Sequence, residues 1–257
     1  RTWRVDGETL NLADNDYLEL ASHPEVKAVA CEAIERYGCS SSAAPLVTGF
    51  RPPHEALVKR LALWYGVSPD EVMLWNSGYS ANQAILGMLP EKGDLVLADR
   101  FIHHSMLAGI LAGGARLRRI PHLDIGRLEA ILRERPSGQA TFVVTETVFG
   151  MDGDRPDLPR LAQLRDKYGF ALVLDEAHAI GWYGRRGTGL AEQEDILEHV
   201  DVLVGTLGKT LGSQGAYAVF RESAVKHRLE NFAGEYVYST YLAPANAAAA
   251  SKAIELV

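Results

Sequence analysis

Short apolar runs of strand length alternate with helix-patterned stretches along most of this chain. Val72 to Trp75, Asp94 to Ala98, Arg116 to Ile120, Thr141 to Val144, Phe170 to Leu174, Val202 to Val204 and Ala216 to Phe220 read as strands. Ser22 and Pro24 open a helix with Val26, Ala30, Ile34 and Tyr37 at helical spacing, which Gly38 should close. A second helix is expected from His54 to Tyr65, with Leu57, Leu61 and Tyr65 on one face. Further helices are expected before Pro90, after Ser105, and over Ile125 to Arg135, Leu158 to Tyr168, Glu222 to Phe232 and Pro244 to Val257. Residues 1–20 read as a polar, turn-rich entry without periodicity. Residues 39–53 read as a small-residue loop, long enough to line a site. Strands alternating with helices of this length predict an α/β fold, with a mostly parallel central sheet and helices on both faces.

Composition narrows the class. A chain of 257 residues that is 47% hydrophobic can bury the core of one large domain, or one and a half. A net charge of −7 without a basic run argues against a nucleic-acid or anionic-membrane partner. The longest apolar runs are too short to span a bilayer. Arg1-Thr-Trp-Arg4 has no apolar segment behind it and does not read as a signal peptide. Cys31 and Cys39 suit a reducing compartment and lack metal-ligand spacing, so a cytoplasmic protein without a metal is expected. The last helical pattern is still running at Val257, which suggests that more of the domain follows.

The candidate chemistry gathers at strand ends. In open parallel sheets ligands bind beyond the carboxyl ends of the strands. Gly78 and Asn82, Asp99 and His103, Glu146, Asp175 and His178, and Thr206 and Lys209 all fall there. Lys209 sits in a glycine-rich turn after an apolar strand, where burial disfavours its charge and makes the amine a candidate nucleophile. Gly208-Lys209-Thr210 also resembles the end of a P-loop, but the position of the first glycine is Leu203. Asp175-Glu-Ala-His178 spells a helicase-like tetrapeptide. With that P-loop incomplete and on the wrong side of it, a nucleotide-hydrolase reading fails. Ser77 to Asn82 would follow a strand and open a helix, so its free N–H groups could hold a phosphate. Asp175 ends the most apolar strand and calls for a cationic partner, either Lys209 or a protonated ring nitrogen. An anion cradle, a buried Asp, a histidine able to stack and an imine-forming lysine together suit pyridoxal 5'-phosphate. His104 adjoins His103 and is expected to point away from the site.

Met151-Asp-Gly-Asp154, Asp175-Glu-Ala-His178 and Thr206-Leu-Gly-Lys209, in this order and spacing, resemble the α-oxoamine synthases. These are pyridoxal-phosphate enzymes of aminotransferase fold type I that condense an amino acid with an acyl thioester and release carbon dioxide. The likeness runs from Asn15-Asp-Tyr-Leu18 to Tyr238-Ser-Thr240. It implies that Lys209 forms the imine with the cofactor and takes the Cα proton. Asp175 would pair with the ring nitrogen, His178 would reach the phenolic oxygen and His103 would stack on the ring. Gly78, Tyr79 and Thr206 would bind the phosphate, and Ser239 and Thr240 would reach a phosphate across a homodimer interface. It also implies a division into an N-terminal segment and helix (1–45) and a large cofactor-binding domain (46–257), with a small C-terminal domain outside this chain.

Two departures stand out. Gly150 occupies a position where many members carry a serine that contacts the cofactor oxygen, so His178 is expected to act there alone. Ser41, Ser42 and Ala43 replace a glycine-rich stretch. Leu46 to His54 and Ser77 to Asn82 favour the branch that joins L-alanine to a pimeloyl thioester, on CoA or acyl carrier protein, in biotin synthesis. Glycine acetyl transfer, serine palmitoyl transfer and secondary-metabolite condensation are the alternatives. A non-catalytic partner subunit is a further reading, which the presence of Lys209, Asp175 and His178 disfavours.

Overall fold

Seven strands form one sheet in the order β3-β9-β8-β7-β6-β4-β5. They are β3 (Val72–Trp75), β4 (Leu95–Asp99), β5 (Arg116–Ile120), β6 (Thr141–Glu146), β7 (Ala171–Asp175), β8 (Val202–Thr206) and β9 (Ala216–Phe220). This is a computed structural model that describes residues 2–5, 8–11 and 13–257, with side chains from residue 13 onward. Strands β8, β7, β6, β4 and β5 run parallel, whereas β9 lies antiparallel between β3 and β8. The mixed, mostly parallel sheet expected from the alternating pattern is therefore present.

The central strands are apolar because both of their faces are covered. Every residue of β3, β4 and β9 is buried, and Trp75, Tyr217 and Phe220 are the largest side chains wholly enclosed there. Strand β5 lies at the edge and keeps three arginines at partly or fully exposed positions, which discourages pairing with another sheet. The covering helices are α1 (Pro24–Tyr37), α2 (Pro52–Tyr65), α3 (Gly78–Met88), α4 (His104–Gly113), α5 (Ile125–Glu134), α6 (Leu158–Tyr168), α8 (Ser223–Phe232) and α10 (Pro244–Leu256). Helix α10 packs against both α1 and α2.

Several boundaries differ from the sequence reading. Strands β4, β6, β7 and β8 each run one or two residues further, to Asp99, Glu146, Asp175 and Thr206. Parallel pairing carries these polar ends into the ladder, with Glu146 opposite Asp175 and Asp99 opposite Ile120. The N-terminal stretch holds an unexpected antiparallel hairpin, β1 (Thr2–Val5) with β2 (Glu8–Asn11). In sequence an Asp-Gly pair separates the two strands, a dipeptide that favours tight hairpins. Two four-residue helices, α7 (Leu190–Gln193) and α9 (Gly234–Val237), are likewise additions.

The 39–53 loop contains a π-helical turn, Pro45–Gly49, and does not line the cleft described below. Its polar groups instead fasten it to a distant segment. Ser41 Oγ donates to the Leu242 carbonyl at 2.6 Å, His54 Nε2 contacts the same oxygen at 2.7 Å, and the Tyr241 amide donates to the Ala43 carbonyl. Arg51 completes the fastening by donating to the carbonyls of Tyr37 and Ser41.

Candidate active site

The turn between β8 and β9 presents Lys209. The Gly212 amide donates to the Lys209 carbonyl, and Leu207 exchanges backbone bonds with Ser213 and Gly215 across the base of the turn. Gly212 has φ 59°, and a Cβ there would fall 2.1 Å from the Ala21 amide nitrogen. Only glycine combines that backbone with so close an approach.

An open cleft of about 160 Å³ lies at the carboxyl ends of β6, β7 and β8. It gathers Gly78, Tyr79, Asn82, His103, Glu146, Asp175, His178, Thr206 and Lys209, all expected from the sequence, together with Ser105. Asp99, at the end of β4, is the exception among the strand-end residues. Its carboxylate accepts the amides of Phe101 and Leu123 and contacts His122 Nδ1 at 2.9 Å, while His122 Nε2 lies 2.9 Å from Asp154. The Met151-Asp-Gly-Asp154 motif is thus anchored through a histidine outside the cleft. His104 also lies outside, 3.0 Å from the Tyr79 hydroxyl. Ser239 and Thr240 do not line the cleft in this chain. Asn76 Nδ2 donates to Ser239 Oγ and to the Thr240 carbonyl at 2.8 and 2.7 Å, which places both beside the β3–α3 connection.

Asp175 is buried, and both of its contacts are neutral donors. Asn82 Nδ2 donates to Oδ2 at 2.7 Å, and the Ala177 amide donates to Oδ1 at 2.9 Å. Lys209 is near enough to feel its charge but makes no ion pair with it among the described residues. Of the two partners expected for this carboxylate, the lysine is therefore not the one engaged. A buried carboxylate without a cation fits a protonated ring nitrogen brought in by a ligand.

The histidines are held in defined states. His103 Nδ1 receives both the Ser105 amide and the Ser105 hydroxyl, at 3.3 and 2.7 Å. That hydroxyl accepts from Asn82 Nδ2 at 3.1 Å, so its own proton points to His103 and the neutral ring carries its proton on Nε2. Burial, outweighing the attraction of Asp175, lowers the His103 pKa. His178 Nε2 lies 2.7 Å from Lys209 Nζ, and burial together with the lysine charge pushes this imidazole down to about 4. Burial likewise lowers the Lys209 ammonium from its usual value, against the pull of Asp175 and Glu146. Glu146 is pushed up to about 8 by burial and then by the Asp175 charge.

The anion end of the cleft is the N-terminus of α3. Ser77 caps it by accepting the Ser80 amide, no acidic residue stands in its first turn, and a Cβ at Gly78 would meet open space. That end is suited to a phosphate. Thr206 lines the cleft with its hydroxyl already engaged by the Gly215 carbonyl and the Gly208 amide. Gly150 packs on the other side of His178, where a Cβ would come within 2.3 Å of Nε2.

The family model for aminotransferase class I and II matches residues 7–256. The chain belongs to the class I and II aminotransferase family. Within that family the expected likeness to α-oxoamine synthases is borne out. The chain is 43% identical over 250 residues to an 8-amino-7-oxononanoate synthase of Geobacter sulfurreducens, a match covering 97% of this chain and 63% of the relative. A serine palmitoyltransferase from S. paucimobilis, solved with a bound PLP–myriocin aldimine, superposes with a TM-score of 0.92 at 27% identity. That match covers 97% of this chain and 62% of the other. The 8-amino-7-oxononanoate synthase of Francisella tularensis gives a TM-score of 0.81 at 29% identity, covering 95% and 68%. The chain thus spans a little under two thirds of the length of the curated relatives it matches. As an aminotransferase-family chain it has the fold type I architecture, and pyridoxal phosphate is the cofactor consistent with that membership. No helix among the described residues is long and apolar enough to cross a membrane.

Ser105 and Tyr17 were absent from the expected site, and the role of Asn82 was not foreseen. Asn82 had been marked as a strand-end polar residue, but its two partners come from other elements and no local pattern announces them.

Proposed function

We propose that this protein catalyses the decarboxylative condensation of L-alanine with a pimeloyl thioester to give 8-amino-7-oxononanoate, a step of biotin synthesis. The observation that carries the cofactor site is Asp175, a buried carboxylate with neutral donors only, in the same cleft as Lys209. The choice of alanine and a pimeloyl group rests on the similarity to enzymes of that name.

In this reading Asp175 would hold the cofactor's ring nitrogen, Lys209 its carbonyl carbon and His178 its phenolic oxygen. His103 would lie against the ring face. The N–H groups of Gly78 and Tyr79, with Thr206, would hold the phosphate, joined by Ser239 and Thr240 of a second subunit in a homodimer. When bound, pyridoxal phosphate supplies an electron sink for the carbanion at the amino acid's Cα. Lys209 acts as the base at Cα, and its buried setting, which favours the free amine, prepares it for that work. Asp175, supported by Asn82, keeps a positive charge on the ring side of the cleft. Ser105 holds the His103 ring with its Nε2–H outward, so the ring face rather than a lone pair on Nδ1 is free to stack.

The test is an absorbance spectrum of the full-length protein, before and after borohydride and then with L-alanine, glycine or L-serine. A band near the edge of the visible range that borohydride abolishes and Lys209→Ala lacks is the expected result. A shift of that band with alanine, in preference to glycine or serine, selects the biotin branch. A protein that takes up no pyridoxal phosphate would overturn the proposal.

A further inference from the structure

Lys209 is the inner end of a hydrogen-bonded chain that leaves the cleft. Its Nζ lies 2.7 Å from His178 Nε2, His178 Nδ1 lies 2.7 Å from the Tyr17 hydroxyl, and that hydroxyl lies 3.1 Å from Asn15 Oδ1. Tyr17 is 37% exposed and its ring leans on His178 and Trp182, so the chain reaches solvent through an aromatic rim.

Donor counting fixes the direction of the chain. A charged lysine has donors only, so His178 Nε2 must accept from it and the neutral imidazole carries its proton on Nδ1. That proton goes to the Tyr17 oxygen, and the single Tyr17 proton goes to Asn15 Oδ1. Every link is then satisfied. When Lys209 is neutral its lone pair can accept instead. His178 then carries its proton on Nε2, and Tyr17 must turn its proton to Nδ1.

We propose that Tyr17 is a positioning residue that supports the Nδ1–H form of His178 while Lys209 is charged, and that the Lys209–His178–Tyr17–Asn15 chain reverses when Lys209 loses its proton. The balance closes with one proton lost. Lys209 gives its proton to His178 Nε2, Nδ1 gives its proton to the Tyr17 oxygen, and the former Tyr17 proton leaves to solvent. His178 and Tyr17 both end neutral, and His178 has changed from acceptor to donor toward the cleft. The other groups acting on Lys209 are Asp175 and Glu146, and those acting on His178 are Asp175 and His103. None of them contacts Nδ1, so Tyr17 alone controls that nitrogen among the described residues.

Use of this reversal in catalysis rests on the function proposed above, but the chain itself exists without cofactor or substrate. The test is therefore made on the cofactor-free, full-length protein, labelled with ¹⁵N in histidine and lysine and titrated by NMR. In the wild type, His178 is expected to carry its proton on Nδ1 while Lys209 is charged and on Nε2 once it is neutral. Tyr17→Phe removes the acceptor for Nδ1–H. His178 Nε2 must still accept from the charged lysine, but Nδ1–H is then left without its partner, so the Lys209 midpoint should fall by about one pH unit, the order expected for one lost hydrogen bond. If the Lys209 midpoint is the same in Tyr17→Phe and wild type, Tyr17 only packs and the proposal is wrong. Should Tyr17→Phe fail to fold, the wild-type titration decides, and a His178 tautomer that stays the same as Lys209 loses its proton overturns the proposal equally. A protein that binds no pyridoxal phosphate but shows the reversal would sink the proposed function and leave this inference standing.

Discussion

Asn82 Nδ2 lies 2.7 Å from Asp175 Oδ2, and the same amide reaches Ser105 on its other side. One buried amide thereby ties the carboxylate expected to pair with the cofactor's ring nitrogen to the residue that orients the histidine expected to stack on the ring. Asn82→Ala should keep the fold but weaken pyridoxal-phosphate binding. A hydrogen bond to a charged group contributes about 1.5–3 kcal/mol, so a loss of roughly tenfold to a hundredfold is expected. Titration of the cofactor into the stripped protein measures it, and unchanged affinity would show that Asp175 does not depend on this amide.

Gly150 gives His178 the room to meet Lys209. Either Gly150→Ala or Gly150→Ser would place a Cβ 2.3 Å from Nε2 of the present ring. The ring must shift, and a displacement of that order near reacting groups costs up to ~10²-fold in rate. Both variants should lose kcat/KM, with serine the milder because its hydroxyl can replace part of the lost contact. Full activity in the alanine variant would contradict this.

Glu146 links stability to pH. Its folded pKa is raised to about 8 from an ordinary carboxyl value of 4.5, by burial first and Asp175 second. The folded state therefore holds a proton that the unfolded chain releases, and its stabilising effect is lost as pH rises from the lower value through the upper one. Glu146→Gln should flatten this decline. Thermal midpoints of the cofactor-free protein between pH 5 and pH 8 (about the span of those two values) would show it, and parallel curves for the two proteins would refute it.

His122 makes the same kind of statement at another place. With Asp99 on one nitrogen and Asp154 on the other, it is fully satisfied only as an imidazolium, and these two carboxylates raise its pKa against the cost of burial. A raised histidine pKa contributes stability that is complete below the unfolded value, near 6.5, and disappears as pH climbs through the folded one. His122→Gln should be less stable than wild type at pH 6 and close the gap at alkaline pH. A gap independent of pH would mean that the ring matters only for packing against Phe101 and Phe149.

Much of this arrangement was legible in sequence, because burial on both faces writes a strand as an unbroken apolar run and the first polar residue after it marks the sheet's edge. Asp175 was read in that way, Lys209 as a lone lysine in the glycine-rich turn after such a run, and the α3 phosphate cradle from Ser77 to Asn82, which follow a strand and open a helix. The partners of those residues were not legible. Tyr17 and His178 are 161 positions apart, and Asn82 and Asp175 are 93 apart, so no spacing rule connects them. Asp99 shows the opposite error, since a strand-end carboxylate can equally be consumed by loop amides and a histidine clamp.

Ser41 and Leu242 are bound to each other, and α10 packs on α1 and α2. The first two of these helices consequently leave the ribosome about 180 residues before their mate, an interval of roughly 10–40 s at ordinary rates of synthesis. During that time the faces of α1 and α2 that pack on α10 wait without that cover. Nascent chains stalled before Pro244 should therefore engage chaperones that the released protein does not need.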